Sequence, residues 1–323
     1  MSTTPSPAVS TNAPEYIVRG GDTAFEPPYS LKETKLYGFV LEGTIENLQE
    51  MCDKYLNIPG QNKFRYRPAS NRILMVFDTI GNISSTEPPG NDKGFFSETG
   101  EVIFWVLTKA EKQEGSRFVF DHHAWFIPYI FVDNTPAMVL GREVFGFPKE
   151  LGHFTIPNDP KNPQELNLET FVLQPFNPQS QAKWQQLINV QLKQEEKTGF
   201  NVNSWADFKE AYEVISTLFE EAKINSKCPT QLEVPMVFLK QFRDVQDGNR
   251  ACYQAIVEAT AKLEKFHAGF PYIRYKFQVS VENFDSHPLV TELGLKLTQT
   301  AQLAFWIHFD FSFGNGTEIW KAT

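Results

Sequence analysis

The stretch LAFWIHFDF (Leu303–Phe311) constrains the fold most strongly. Leu303, Phe305, Ile307, Phe309 and Phe311 take alternate positions, with Ala304, Trp306, His308 and Asp310 between them. An extended strand gathers the first set on one face, whereas a helix would scatter it around the axis. YIRYKFQVSV (Tyr272–Val281) repeats the pattern, setting Ile273, Tyr275, Phe277, Val279 and Val281 against Arg274, Lys276, Gln278 and Ser280. EVIFWVL (Glu101–Leu107) is a compact apolar run of strand length. ACYQAIVEATAKL (Ala251–Leu263) stays open: its odd positions are apolar, but it is alanine-rich and Ile256 interrupts the alternation. The 29 phenylalanines carry enough apolar area to build a sizeable core or to line a pocket.

Turn-rich clusters at Glu87–Gly94, Ile156–Gln164 and Gln246–Asn249 read as loops between these runs. SWADFKEAYEVISTLFEEAK (Ser204–Lys223) is helical by its spacing of Phe208, Ala211, Tyr212, Ile215, Leu218, Phe219 and Ala222, and Ser204 with Asp207 forms a capping-box pattern. KWQQLINVQLKQ (Lys183–Gln194) reads as a second, weaker helix. The expected architecture is mainly β (α+β), a mostly antiparallel sheet or barrel with helices inserted near residues 180–225. Residues 1–20, rich in Ser, Thr and Pro, read as a disordered tail without the basic and apolar regions of a secretory signal. Residues 21–323 read as a single domain.

Several function classes are disfavoured. The net charge is −9 with no Lys/Arg cluster, which argues against nucleic-acid and anionic-membrane partners. No run of 18 apolar residues is present to span a bilayer as a helix. Cys52, Cys228 and Cys252 are odd in number and far apart, the usage expected of reduced thiols in a cytoplasmic protein. His122 and His123 are adjacent and would face opposite ways in a strand, and His153, His267, His287 and His308 are scattered, so no metal site is expected. RGGDTAF and GNGTEIW match no phosphate-binding loop.

GREVFGFPKELG (Gly141–Gly152) raises the chemical question. Lys149 follows Phe145, Phe147 and Pro148 and precedes Glu150 and Leu151. One reading is a lysine whose stem packs on aromatics while its head reaches water. The other is a nucleophile: an unprotonated amine attacks a carbonyl, and the resulting iminium stabilises a carbanion on the neighbouring carbon. That requires the amine to lose its proton near neutrality against a reference pKa of about 10.4, which burial among apolar groups favours.

The longer segment VDNTPAMVLGREVFGFPKELG (Val132–Gly152) resembles the active-site signature of the acetoacetate decarboxylase family. Asp133, Asn134, Pro136, Ala137, Gly141, Arg142, Glu143, Phe147, Pro148 and Lys149 carry the match without a gap. Upstream, FFSETGEV (Phe95–Val102) resembles the strand entry that supplies a pocket glutamate, and ENFDSHPLVTEL (Glu282–Leu293) resembles a late loop. The resemblance spans roughly residues 35–320, weakly outside the signature. It implies a closed antiparallel β-barrel and a Schiff-base lysine at Lys149. The carboxylate partner would be Glu98, or Glu101 if the register slips. Phe145, Phe147, Glu101, Arg142 and Glu150 would lie around the substrate, with Arg142 and Glu143 forming an ion pair in the signature strand. A homo-oligomer, a small carbonyl substrate and no cofactor are implied, because the iminium is itself the electron sink.

Three departures accompany the match. The family's second consecutive lysine is Glu150 here. The arginine that receives the substrate carboxylate in the family has no counterpart near Thr34, leaving Arg19, Arg65, Arg67 and Arg72 as remote candidates. A second pocket carboxylate has only Asp78 as a counterpart. The resemblance therefore implies a decarboxylase-like lyase acting on a β-keto acid or related carbonyl compound. An aldolase or dehydratase using the same enamine, or a non-catalytic binding barrel, stays open beside it.

Overall fold

In the computed structural model, the described residues are 14–18, 23–195, 233–272 and 275–322, excluding the side chains of residues 98, 99, 194 and 195. The sheet strands, in chain order, are β1 (Tyr29–Glu42), β2 (Phe64–Ser85), β3 (Phe96–Glu114), β4 (Arg117–Val132), β5 (Lys149–Thr155), β6 (Glu165–Val172) and β7 (Lys183–Glu195). They continue with β8 (Glu233–Arg243), β9 (Ala251–Pro271), β10 (Tyr275–Val281), β11 (Thr298–Thr300), β12 (Leu303–Phe313) and β13 (Thr317–Lys321). Short helices at Ile45–Cys52, Thr135–Leu140 and Leu289–Leu293 connect or flank them.

The pairing follows a ring. From β4 it passes through β3, β2, β1, β12 and β9 to β8, and β8 pairs back with β4. Most ladders are antiparallel, as the alternating sequences predict. The closing ladder is parallel, with Trp125 opposite Met236 and Phe126 opposite Val237. β5 also leaves β4 in parallel, with Ile130 opposite Lys149. The architecture is therefore a mixed sheet bent into a ring rather than a purely antiparallel one. From β5 the sheet continues through β6, β7, β10 and β11 as an outer layer.

Two apolar clusters explain why several strands lack polar faces. Val76, Ile103, Trp125, Ile130, Met236 and Phe313 belong to the cluster inside the ring. Phe39, Phe77, Phe104, Val190, Phe277 and Val279 belong to the cluster between the ring and the outer layer. EVIFWVL is apolar throughout because Val102, Phe104 and Val106 face outward while Ile103 and Leu107 face inward. Each fully buried Phe of this kind contributes roughly 1.5–3 kcal/mol of transfer free energy.

The stretch Lys183–Gln194 is strand, not helix. Ile188 and Val190 are buried at strand spacing, with Leu192 packed beside them, and ladders to β6 and β10 satisfy the backbone on both edges. The open segment Ala251–Leu263 is likewise strand, the first part of β9. The helix expected at Ser204–Lys223 lies outside the described residues, as does most of the expected tail. No helix among the described residues is long and apolar enough to cross a membrane.

Candidate active site

The signature segment leaves β4 and turns into the Thr135–Leu140 helix. Asn134 caps it by accepting the Ala137 N–H at 2.8 Å, and Pro136 lies in the first turn. One turn of π-helix follows over Gly141–Phe145, and Gly146 ends it at φ +87°. A Cβ on Gly146 would also meet the Lys240 backbone at 2.5 Å, so glycine is needed there for both conformation and space. The segment expected as strand is thus helical up to Phe145, and the strand begins at Lys149 itself. Its register sends Lys149 inward and Glu150 outward.

Lys149 Nζ lies 3.0 Å from Glu101 Oε1, and the two side chains are only 11% and 7% exposed. The Phe147 ring centroid is 5.6 Å from the ammonium. Phe147 packs on Phe238 and Phe145 on Phe313, with centroids 4.1 and 4.5 Å apart. Gly141 lies directly beneath the lysine stem: a Cβ there would fall 2.6 Å from Lys149 Cδ. The arrangement places a primary amine and a carboxylate against a wall of aromatic rings.

That pair opens onto a cavity of about 300 Å³ inside the ring, at the lower end of the size range for small-molecule sites. Phe145, Phe147, Glu101 and Lys149 all line it. So does Asp78, which is register partner to Glu101 across β2 and β3. The inward face of β12 supplies Phe305, Ile307, Phe309, Phe311 and Phe313. The charged lining residues are Asp78, Glu101, Lys149 and Lys262, with no arginine among the described ones. Lys262 is engaged with Glu233 at 3.0 Å. Thr34, near which the sequence has no arginine, is part of the wall. Its Oγ1 and the Trp105 Nε1 are buried without a hydrogen-bond partner among the described residues.

The other sequence candidates have different surroundings. Glu98 is opposite Ile80 in the β2–β3 ladder, and its side chain lies outside the described set. Glu150 is 48% exposed and its Oε2 lies 3.0 Å from His287 Nε2, fastening the late loop to the back of β5. Arg142 Nη1 donates to the Lys149 carbonyl at 3.0 Å, so it holds the lysine's backbone and does not line the cavity. Arg65 and Arg67 both bind Glu111, away from the cavity wall.

Residues 100–172 match the family model for acetoacetate decarboxylase. The fold is similar to that of the acetoacetate decarboxylase of Legionella pneumophila, with 13% identity, a TM-score of 0.60, and coverage of 97% of this chain and 93% of that one. It is also similar to an acetoacetate decarboxylase-like enzyme from Sphingomonas wittichii, with 10% identity, a TM-score of 0.51, and coverage of 92% and 93%. The enduracididine biosynthesis enzyme MppR is a further structural neighbour, at 9% identity, a TM-score of 0.50, and coverage of 93% and 90%. A search of curated protein sequences returns no match. Residues 100–172 thus carry the match to the acetoacetate decarboxylase family model, and the fold as a whole is of the acetoacetate decarboxylase type.

Proposed function

We propose that the protein is a Schiff-base-forming lyase in which Lys149 attacks the carbonyl carbon of a substrate held in the ring cavity. The observation that carries this reading is the buried Lys149–Glu101 pair at 3.0 Å on the cavity wall. Glu101 takes the ammonium proton, freeing the amine to attack. The carbinolamine loses its oxygen as water, with a proton returned from Glu101, and leaves an iminium. In a β-keto acid the bond to the carboxylate then breaks. Carbon dioxide departs and the electron pair flows into the iminium, giving an enamine. Protonation at carbon and hydrolysis by water release the ketone and restore the lysine.

Asp78 and Glu101 form the carboxylate pair available for these proton transfers, both inside the ring and on neighbouring strands. The apolar wall limits water around the amine and strengthens the charge interactions made there.

The lack of an arginine among the described lining residues favours a second reading beside decarboxylation. Without a guanidinium fork to receive a carboxylate, the same enamine serves aldol addition, retro-aldol cleavage or dehydration of a largely apolar carbonyl compound. Both readings require enamine formation at Lys149. Solvent-deuterium exchange into the α-carbon of ketones, followed by NMR, tests that shared step. Exchange that disappears in Lys149→Ala supports it, and exchange indifferent to Lys149 contradicts it. Release of carbon dioxide from β-keto acids then separates the two.

A further inference from the structure

A second cluster of reactive side chains lies on the opposite face of the cavity wall. Phe309 and Phe311 of β12 line the cavity. His308 and Asp310 alternate with them and therefore face outward. β1 and β9 flank β12 in the ring, and both ladders are irregular at this level. β1 carries a bulge between Leu31 and Thr34, and the β12–β9 register shifts between His308 and Phe309 and again between Asp310 and Phe311. These irregularities bring Glu33 from β1 and His267 from β9 beside His308.

The resulting geometry is compact. His308 Nε2 is 2.9 Å from Glu33 Oε2, and His267 Nε2 is 4.0 Å from Glu33 Oε1. The two imidazoles stack with centroids 4.4 Å apart. The three ligand atoms all lie within 4.8 Å of one another. Asp310 Oδ1 is 2.9 Å from His267 Nε2 and also accepts the Glu33 backbone N–H at 2.9 Å. Glu33 adopts φ +57°, the left-handed region that costs a non-glycine residue conformational energy. Its carboxylate is thus directed at the histidines by a constrained backbone.

We propose that Glu33, His267 and His308 bind a divalent transition-metal ion of the zinc type on the outer face of the ring. Two imidazole nitrogens and one carboxylate form a donor set suited to zinc, copper or nickel rather than to calcium or magnesium. Zinc–ligand bonds of about 2.0–2.2 Å set tetrahedral ligand atoms about 3.3–3.5 Å apart. The three ligand atoms, one from each residue and within 4.8 Å of one another, lie close enough for side-chain rotations to draw them to that spacing. The metal takes the place of the protons shared in the His308–Glu33 and His267–Asp310 contacts: each ring ligates through Nε2 and keeps one proton on Nδ1, and a doubly protonated ring gives its second proton to water. Asp310 stands beside His267 Nε2 as the neighbouring oxygen for a fourth position. The ion then ties β1, β12 and β9 together across the strand that supplies the aromatic cavity wall.

The test is calorimetric titration of tag-free, metal-stripped full-length protein with zinc chloride, with cobalt(II) absorption and thermal unfolding as second readouts. One equivalent is expected to bind and to raise the unfolding temperature, since the ion binds the folded state preferentially. Affinity is expected to fall at least tenfold in His267→Ala and in His308→Ala, and to stay unchanged in Lys149→Ala and in His122→Gln. Glu33→Gln, at an exposed position, supplies a variant that keeps its fold should a histidine variant fail to. It is expected to bind more weakly and to lose the ligand-field bands of bound cobalt. Absence of stoichiometric binding overturns the proposal, and so does binding that survives all three substitutions.

Discussion

The side chain of Lys149 lies across the bare Cα of Gly141, close enough that a methyl group there would fall 2.6 Å from its Cδ and 2.7 Å from its Cε. The glycine has ordinary helical angles, with φ −63°, so its role is to clear a path for the lysine. Gly141→Ala gains up to about 1 kcal/mol of helix propensity, offset by displacing a buried stem whose amine is paired with Glu101, so no net stabilisation is expected. The obstructed atoms belong to a flexible stem, so the lysine is what moves. Reaction at Lys149 is expected to drop at least tenfold, read as carbonyl adduct formation beside a denaturation curve.

Glu101 is the carboxylate in contact with the amine. Glu101→Gln keeps the shape and a hydrogen-bonding group but cannot take a proton. Turnover is expected to fall about 10²–10⁴-fold, the range for loss of a general acid–base group. Steady-state kinetics on a substrate identified by carbonyl screening reads this directly. A loss below threefold would move the proton-transfer role to another group.

Glu150 stands where the family pattern has a second lysine, but it binds His287 on the far side of β5. Glu150→Lys is therefore expected to leave the reactivity of Lys149 within about threefold. The contact with the buried His287 is lost, leaving its Nε2 without that partner, at a stability cost of about 1–3 kcal/mol. Parallel trapping and unfolding measurements on this one variant separate the two effects. A tenfold gain in reactivity would show that charge at position 150 reaches the amine.

His122 makes a pH-dependent contribution at the mouth of the β3–β4 hairpin. Its Nε2 is 2.9 Å from Glu258 and its Nδ1 is 2.8 Å from Asp121. The hydrogen bond to Glu258 is the main cause that raises its pKa from 6.5 to about 9. Because the folded pKa lies above the unfolded one, the stabilisation is full below about pH 6.5 and is lost as pH rises through about 9. The ring is partly exposed, so solvent screening reduces the effect to about 1 kcal/mol. Denaturant unfolding at pH 6 and pH 10 is expected to differ by that amount more in the wild type than in His122→Gln.

Much of this molecule was legible from periodicity. LAFWIHFDF gave a strand whose Phe305, Ile307, Phe309 and Phe311 line the cavity, and GREVFGFPK marked the lysine. Glu101 shares parity with Ile103 and Trp105 in an uninterrupted run, and those two residues also line the cavity, so strand alternation points to it. What stayed hidden depends on tertiary register. Lys183–Gln194 looked helical because its partners in β6 and β10 are remote in sequence. The parallel closure of the ring leaves no local signal. Glu33, His267 and His308 are hundreds of residues apart or on separate strands, and only bulges in two ladders bring them together.

The central claim is that Lys149 is the nucleophile, and borohydride trapping tests it most directly. The protein is incubated with β-keto acids, pyruvate and apolar ketones or aldehydes, reduced, and read by intact and peptide mass. The account predicts one covalent adduct per chain, located on Lys149 and absent in Lys149→Ala. A protein that binds these carbonyl compounds in the cavity yet yields no adduct, or yields one on another lysine, would contradict it.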